Sequence, residues 1–417
     1  MKILVIGSGG REHALCRKFL ENPAVEKIYV APGNGGTKLT PRCENVSVSG
    51  IDALAEFAKA EAVDLTMVGS EELLVAGIVD KYREKGLAIF GPDKKAALLE
   101  GSKAWAKTFM EKYGVKTAKY KVFTDPTEAK AYAGTCDHPL VVKASGLAAG
   151  KGVLICQTSA ESLAAIDEIM IARAFQDAGD EIVIEEYLEG VEASILSITD
   201  SRVILPFISA KDHKKIGEGD TGLNTGGMGT IAPNPYVTKE VFAQFERDIL
   251  APTLRGINAE GMRFAGVIFF GLMINARGVW LLEYNMRMGD PETQVVLPLL
   301  ENDLTELLQE ALAGDLDKTE LRWKPEHACC VVLASRGYPG SYGKGYEING
   351  LDAVQNDWLA AGVAEKDGKL LTSGGRVLNL VATGKTLEEA RQKAYSDVEL
   401  VGFQGKYYRK DIGISKK

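Results

Sequence analysis

The sequence predicts a multidomain fold, α/β at the N-terminus and α+β beyond it, and three observations carry that expectation. Over the first hundred residues short apolar runs alternate with helical patterns: "KILVIG", Arg11 to Glu21, "KIYVAP", Ile51 to Ala60, "DLTMVG", Glu72 to Lys85 and "LAIFGP". Strands separated by helices of this length make parallel βαβ units, which predicts a doubly wound, Rossmann-like domain. After "AKYKVF" strands follow one another with few helices, which predicts a small antiparallel α+β layer. The 417 residues are enough for roughly two to four domains.

In chain order, a Lys-rich helical connector spans about Lys94 to Tyr113. The antiparallel layer takes "AKYKVF", "PLVVKA", "GVLICQ", a helix around Ala160 to Ile171, "EIVIEEYL", "EASILSITD" and "RVILPF". A polar, Gly-rich loop follows from Ser209 to Thr230, then a long helix around Thr238 to Ala259 and the strands "FAGVIFFGLMI" and "GVWLLEYN". The last segment opens with "HACCVVLAS" at His327 and carries "GRVLNLVA" and a helix near Leu387 to Glu399.

Composition excludes several classes. A net charge of -8 argues against non-specific nucleic-acid binding, which needs Lys and Arg to neutralise phosphates. No apolar run approaches the ~18 residues of a membrane span, and "MKILV" is too short for a signal-peptide core, so a cytoplasmic protein without a membrane partner is expected. Cys16, Cys43, Cys136, Cys156, Cys329 and Cys330 lack Cys-x-x-Cys spacing and read as reduced core residues.

"GSGGREH" after the first strand looks like a dinucleotide fingerprint, but Glu12 stands where the third glycine belongs. The second strand ends Val30-Ala31-Pro32-Gly33 without a ribose-binding acid, which excludes NAD. Gly9 to Glu12 is either a tight turn or an anion site completed by Arg11. "SGLAAGKG", from Ser145 to Gly152, nearly spells a P-loop, yet a strand rather than a helix follows its lysine. It therefore joins two antiparallel strands, as a flap over a triphosphate or as a plain hairpin tip. Lys143 interrupts an apolar strand, where an ammonium needs an anionic partner. Lys103 is a second candidate cation. Glu185, Glu186 and Glu192 follow in "IVIEEYLEGVEAS", either around an adenosine or along an edge strand.

"GVWLLEYNMRMGDPETQ" carries the most specific chemistry. Alternate residues of a strand share a face, so Glu283, Asn285 and Arg287 line up. Hard oxygen donors without His or Cys suit Mg2+, and a guanidinium suits a carboxylate or phosphate.

Together these features resemble the ATP-grasp ligases and, within them, the phosphoribosylamine-glycine ligase family. The matching stretches are "VIGSGGREHAL", "APGNGGT", "LEGSKAWAK", "KASGLAAGKGV", "KDHKKIGEGDTGLNTGGMG", "RMGDPETQ", "SGGRVL" and "YRKDIG". The resemblance implies an N-terminal domain over 1–101, a connector over 102–120, a flap subdomain over 121–190, an ATP-grasp core domain over 191–325 and a C-terminal domain over 326–417. It implies ATP held by Lys103, Lys143, Ser145, Gly146, Gly150, Lys151, Gly152, Glu185, Glu186, Leu188 and Glu192, and Mg2+ or Mn2+ on Glu283 and Asn285. Arg287 and Asp290 would be catalytic. The substrate side would take Gly9, Gly10, Arg11, Glu12, Glu71, Asp212, Asn224, Thr225, Gly226, Gly227, Met228, Gly229 and Glu292, with Arg287 and Asp290.

The implied reaction joins glycine to 5-phosphoribosylamine through glycyl phosphate in purine biosynthesis, with small-molecule partners only and a monomer or small homo-oligomer. Ser70 and Leu223 stand where the family pattern has proline, and Met288 where it has phenylalanine, all on the substrate side. His213 is a candidate phosphate contact or a solvated turn residue. Two rivals stay open: another ATP-grasp ligase or carboxylase, and a non-catalytic nucleotide-binding protein.

Overall fold

The computed structural model describes residues 1–148 and 151–414. Its first sheet has five parallel strands: β1 (Lys2–Gly7), β2 (Lys27–Pro32), β3 (Cys43–Asn45), β4 (Leu65–Val68) and β5 (Ile89–Phe90). They lie in the order β3-β2-β1-β4-β5. Ile3, Leu4 and Val5 are all fully buried, as expected for strands with helices on both faces. The order reverses at β1, which opens a crevice at its carboxyl end, where doubly wound sheets bind ligands. The helix expected over Glu72 to Lys85 is two helices, Glu71–Val75 and Ile78–Glu84, because Gly77 between them takes φ +92°. The connector likewise divides into Lys94–Gly101 and Lys103–Tyr113 at Ser102, whose Oγ accepts from the Trp105 N–H at 3.2 Å as an N-cap.

A second sheet holds β6 (Tyr120–Phe123), β7 (Leu140–Ala144), β8 (Val153–Cys156) and β9 (Ile182–Glu186) in the antiparallel order β6-β9-β7-β8. Helices Pro126–Ala133 and Ser159–Ile166 cover it, burying Val142, Ala165, Ile166 and Ile184. Lys143 pairs with Val153, so the strands on either side of the Gly-rich stretch are antiparallel neighbours, as the sequence predicts. Gly150, expected to contact ATP, lies outside the described residues.

The third sheet is the largest. It takes β10 (Val191–Thr199) and β11 (Ile204–Asp212), which are "EASILSITD" and "RVILPF". These were expected beside the hairpin; they pair instead with each other and with strands further along the chain. The Gly-rich loop is not wholly irregular: it contains a ribbon of β12 (Lys215–Gly217) and β13 (Thr221–Asn224), then β14 (Gly229–Ala232). β15 (Gly266–Asn275), β16 (Gly278–Asn285), β17 (His327–Ser335) and β18 (Asp357–Ala360) follow. After them come the ribbon β19 (Val363–Lys366) with β20 (Lys369–Thr372), then β21 (Arg376–Gly384) and β22 (Lys406–Tyr407). The order is β16-β15-β10-β11-β14-β17-β21-β18, with β22 on β17. β14 is hydrogen-bonded on both edges, to β11 and to β17, so the segment after His327 extends the same sheet. Among the described residues no helix is long and apolar enough to cross a membrane.

Two buried histidines fasten distant segments. The Ala360 N–H donates to His13 Nδ1 at 2.9 Å, which leaves Nε2 to donate to Thr40 Oγ1 at 3.1 Å. His213 donates from Nδ1 to the Gly229 carbonyl at 3.1 Å and accepts at Nε2 from the Gly413 N–H at 3.2 Å. The phosphate contact considered for His213 is corrected: it is only 4 % exposed and both ring nitrogens serve the backbone. Burial pushes His13 down to about 3 and His213 down to about 4. Both pKa values lie below the unfolded value of about 6.5, so unfolding takes up protons. The stability they contribute is full above about pH 6.5 and is lost as pH falls toward 4. The stability difference between wild type and His213→Gln in urea unfolding should therefore shrink by about 2 kcal/mol between pH 7 and pH 5. A constant difference would mean that the imidazole is solvated.

Candidate active site

A cavity of ≈ 400 Å³ opens where helix Lys103–Tyr113, the β7–β8 hairpin, β9, the end of β16 and the N-terminal domain converge. Alternation along β16 sends Tyr284 into the apolar core, where its hydroxyl meets Thr253 Oγ1 at 2.6 Å, and turns Glu283 and Asn285 toward the cavity. Arg287 Nη2 donates to Asn285 Oδ1 at 3.2 Å and pairs with Glu100 Oε1 at 3.0 Å, while Nε lies 3.5 Å from Glu71 Oε2. Glu100 is fixed in turn by the Met286 N–H at 2.7 Å. The three side chains that the strand pattern groups together therefore line one cavity, and two of them, Asn285 and Arg287, touch.

No hydrogen bond or ion pair holds the Glu283 carboxylate among the described residues. Burial pushes its pKa up, but Lys214, Lys143, Lys103 and Arg287 outweigh this and hold it below the ordinary carboxylate range. An ionised carboxylate beside an amide oxygen, both facing the cavity, is a donor set that fits Mg2+ completed by phosphate oxygens and water. Among the described residues no three His, Cys, Asp or Glu side chains converge as a self-contained metal cage.

One end of the cavity is cationic. Lys143 Nζ lies 3.0 Å from Glu185 Oε1, and Lys107 Nζ lies 3.2 Å from Oε2. Burial pushes Glu185 up, yet the two ammoniums outweigh it and keep the carboxyl below its usual value. Lys103 donates to the Gly146 carbonyl at 3.2 Å, and its own pKa is held down by burial. The other end is acidic. Asp212 Oδ1 is buried without a hydrogen bond, and Glu292 Oε1 accepts from Ser194 Oγ at 3.1 Å. Burial pushes both carboxyls up, and Glu292 raises Asp212 further. Gly227, at φ +111°, brings the backbone against Asp212, where a Cβ would lie 2.7 Å from Oδ1. Asp290 differs: burial raises it, but Arg376 and Arg11 bring it below the usual range.

The cavity wall collects Lys103, Lys143, Gly152, Glu185, Glu283 and Asn285 from the expected ATP and metal set. From the expected substrate set it collects Arg11, Glu71, Asp212, Thr225, Gly226, Arg287, Asp290 and Glu292. Other expected residues stand behind this wall. Glu12 binds Arg11 Nε at 2.5 Å and the Gly9 N–H at 2.6 Å, and Glu192 pairs with Lys214 at 2.7 Å. Ser145 is committed within the protein, its Oγ donating to Glu181 at 2.9 Å. Leu188 packs with Ala118 and Met273, Met228 is fully buried and Gly229 begins β14. Gly10 is buried in the first helix, Glu186 accepts from the Lys119 N–H at 3.4 Å, and Asn224 and Lys151 are exposed.

Of the three departures, Met288 is a core residue whose carbonyl accepts from Arg11 at 3.1 Å, Leu223 is 66 % exposed, and Ser70 begins helix Glu71–Val75 without capping it. Sequence reading passes over four charged wall residues: Lys107, Lys214, Glu100 and Arg376. Lys107 was findable, because it stands four residues after Lys103 and so on the same helical face. Arg376, which reaches the Gly226 carbonyl and the Asp290 carbonyl (2.9 Å), comes from a segment whose approach no local pattern announces.

The chain matches the N domain of phosphoribosylglycinamide synthetase over residues 1–100, its ATP-grasp (A) domain over 101–293 and its C domain over 328–415. It is 55% identical over 416 residues to a phosphoribosylamine–glycine ligase of Clostridium acetobutylicum, with 100% of each chain covered. A relative of the same name from Fusobacterium nucleatum is also 55% identical, over 99% of this chain and 98% of that protein. The crystal structure of the phosphoribosylamine–glycine ligase of Thermotoga maritima superposes with a TM-score of 0.86 at 37% identity, covering 99% of this chain and 100% of that one. The biotin carboxylase domain of the Hydrogenobacter thermophilus 2-oxoglutarate carboxylase, solved with MgADP and bicarbonate, shares the fold at a TM-score of 0.73 and 18% identity, over 97% of this chain and 91% of that one. With all three domains matched in order and relatives aligned end to end, the chain belongs to the phosphoribosylglycinamide synthetase family of ATP-grasp ligases.

Proposed function

We propose that this chain joins glycine to 5-phosphoribosylamine with ATP, releasing ADP and phosphate and forming glycinamide ribonucleotide. The observation that carries the reading is the polarity of one cavity, cationic at Lys103 and Lys143, acidic at Asp212 and Glu292, with Glu283 and Asn285 between. Triphosphate oxygens suit the first end. The glycine ammonium suits the second, where the carboxyl with an unpartnered oxygen gains a cation. Glycine's own carboxylate then points back toward the γ-phosphate, with Arg287 beside it. Its attack on phosphorus forms glycyl phosphate and expels ADP. The amine of phosphoribosylamine next attacks the acyl carbon, loses a proton and displaces phosphate. Bound at Glu283 and Asn285, Mg2+ would neutralise charge on the phosphate oxygens. The lysines stabilise the developing charge without reorganising, and the hairpin keeps water from the acyl phosphate. No side-chain nucleophile is required.

The carboxylase rival fits less well, because the relatives aligned end to end are phosphoribosylamine–glycine ligases, whereas the carboxylase domain is similar in fold at 18% identity. Purified protein given ATP, Mg2+, glycine and a source of phosphoribosylamine should release ADP and form the amide; release with bicarbonate but not glycine would overturn the assignment. Glu283→Ala should cut turnover about 100-fold or more while leaving the melting temperature near wild type. Wild-type turnover in that variant would remove the metal role. Asp212→Asn should raise the KM for glycine about tenfold or more with the KM for ATP little changed. Equal shifts in both constants would place Asp212 away from the ammonium.

A further inference from the structure

The Glu185 carboxylate is shared by two lysines of different freedom. Lys107 is anchored from behind: its Nζ donates to Thr117 Oγ1 at 2.6 Å, and that hydroxyl donates to the Leu281 carbonyl at 2.6 Å. Lys143 lies on β7, near the hairpin, and Glu185 Oε1, the oxygen it approaches, accepts no aligned hydrogen bond. Lys143 has no second anchor of the kind Thr117 gives Lys107, only its ion pair with Glu185. The two ammoniums are one positive charge more than Glu185 needs. All three groups are buried, at 2 %, 7 % and 3 % exposure for Lys107, Lys143 and Glu185, so a carboxylate stripped of every counter-ion would be strongly unfavourable.

We propose that Lys107 is a positioning residue for nucleotide: it keeps Glu185 neutralised, which frees Lys143 to pair with the phosphates of a nucleoside triphosphate. This rests on the ATP-dependent ligase reading. Without Lys107, Lys143 would be the only ammonium in contact with Glu185 and would leave it only at the cost of a buried carboxylate that no cation touches. Around Lys107 stand Lys103 on its own helix, Lys143 on β7, Glu185 on β9, Glu283 on β16 and the Tyr120 ring on β6, whose centre is 5.8 Å away. Burial, only partly opposed by Glu185, pushes Lys107 down to about 8, so it deprotonates in an accessible range.

Binding of a non-hydrolysable ATP analogue with Mg2+, followed by calorimetry, tests the proposal. Lys107→Met should weaken binding about tenfold or more and leave the glycine KM unchanged, while Lys107→Arg should bind within about threefold of wild type. Wild-type affinity in a folded Lys107→Met variant would overturn the proposal. Should that variant not fold, a pH series on wild type and Lys107→Arg decides: as pH rises through about 8, wild-type affinity should fall more steeply than that of the arginine variant. Parallel profiles would overturn it. Wild type that binds no nucleotide would overturn the ligase reading itself, and this proposal with it.

Discussion

Asp290 is the carboxylate on which three separate stretches of the chain meet. Its Oδ2 receives the Arg11 N–H from the first helix at 3.4 Å, its Oδ1 accepts from Gln294 at 2.7 Å and lies 3.4 Å from Arg376 on β21. The N-terminal domain, the end of the core and the C-terminal segment are therefore referenced to one buried anion. Its charge is kept because two guanidiniums outweigh the burial that would neutralise it. Arg11 extends the bracing to the Met288 carbonyl, and Arg376 extends it to the Gly226 carbonyl. The cavity walls contributed by these segments cannot drift apart without stranding a buried charge, which is far costlier than loosening an apolar contact.

The sheet supplies the rigidity behind that junction. β14 is only four residues long, yet it is buried throughout and paired on both edges, so it couples β11, which ends at Asp212, to β17 and β21, which begins at Arg376. The acid and the guanidinium that face each other across the cavity are thus carried on strands of one sheet. Such pre-positioning matters because electrostatic stabilisation is strong only when the charged groups do not have to reorganise.

What the sequence discloses follows from how far each signal reaches. The parallel first sheet is legible because every strand and helix of it is local, and the β7–β8 hairpin because its two strands flank one short loop. The row of Glu283, Asn285 and Arg287 is legible through strand alternation, which needs no knowledge of neighbours. The siting of β10 and β11 is not, since their partners β14 and β15 lie downstream across intervening structure. Nor is His213, which stands in a run of lysines and looks solvated, yet is enclosed by Gly229 and the distant Gly413. Glu100 and Lys107 are likewise ordinary helical charges until tertiary contact supplies Arg287 and Glu185.

The distribution of charge in the cavity also sets a direction for the chemistry proposed. A ligand that is anionic throughout would favour the lysine end, whereas the zwitterion proposed as substrate suits the cavity in one orientation. Glycine with its ammonium toward the acids must present its carboxylate toward the lysines, and therefore toward the phosphate chain. At that boundary four cations hold the Glu283 carboxyl below its ordinary range against the burial that raises it. A carboxylate in that position reports the whole balance of the site, and loss of any one of those cations would raise its pKa and so weaken the metal binding proposed for it.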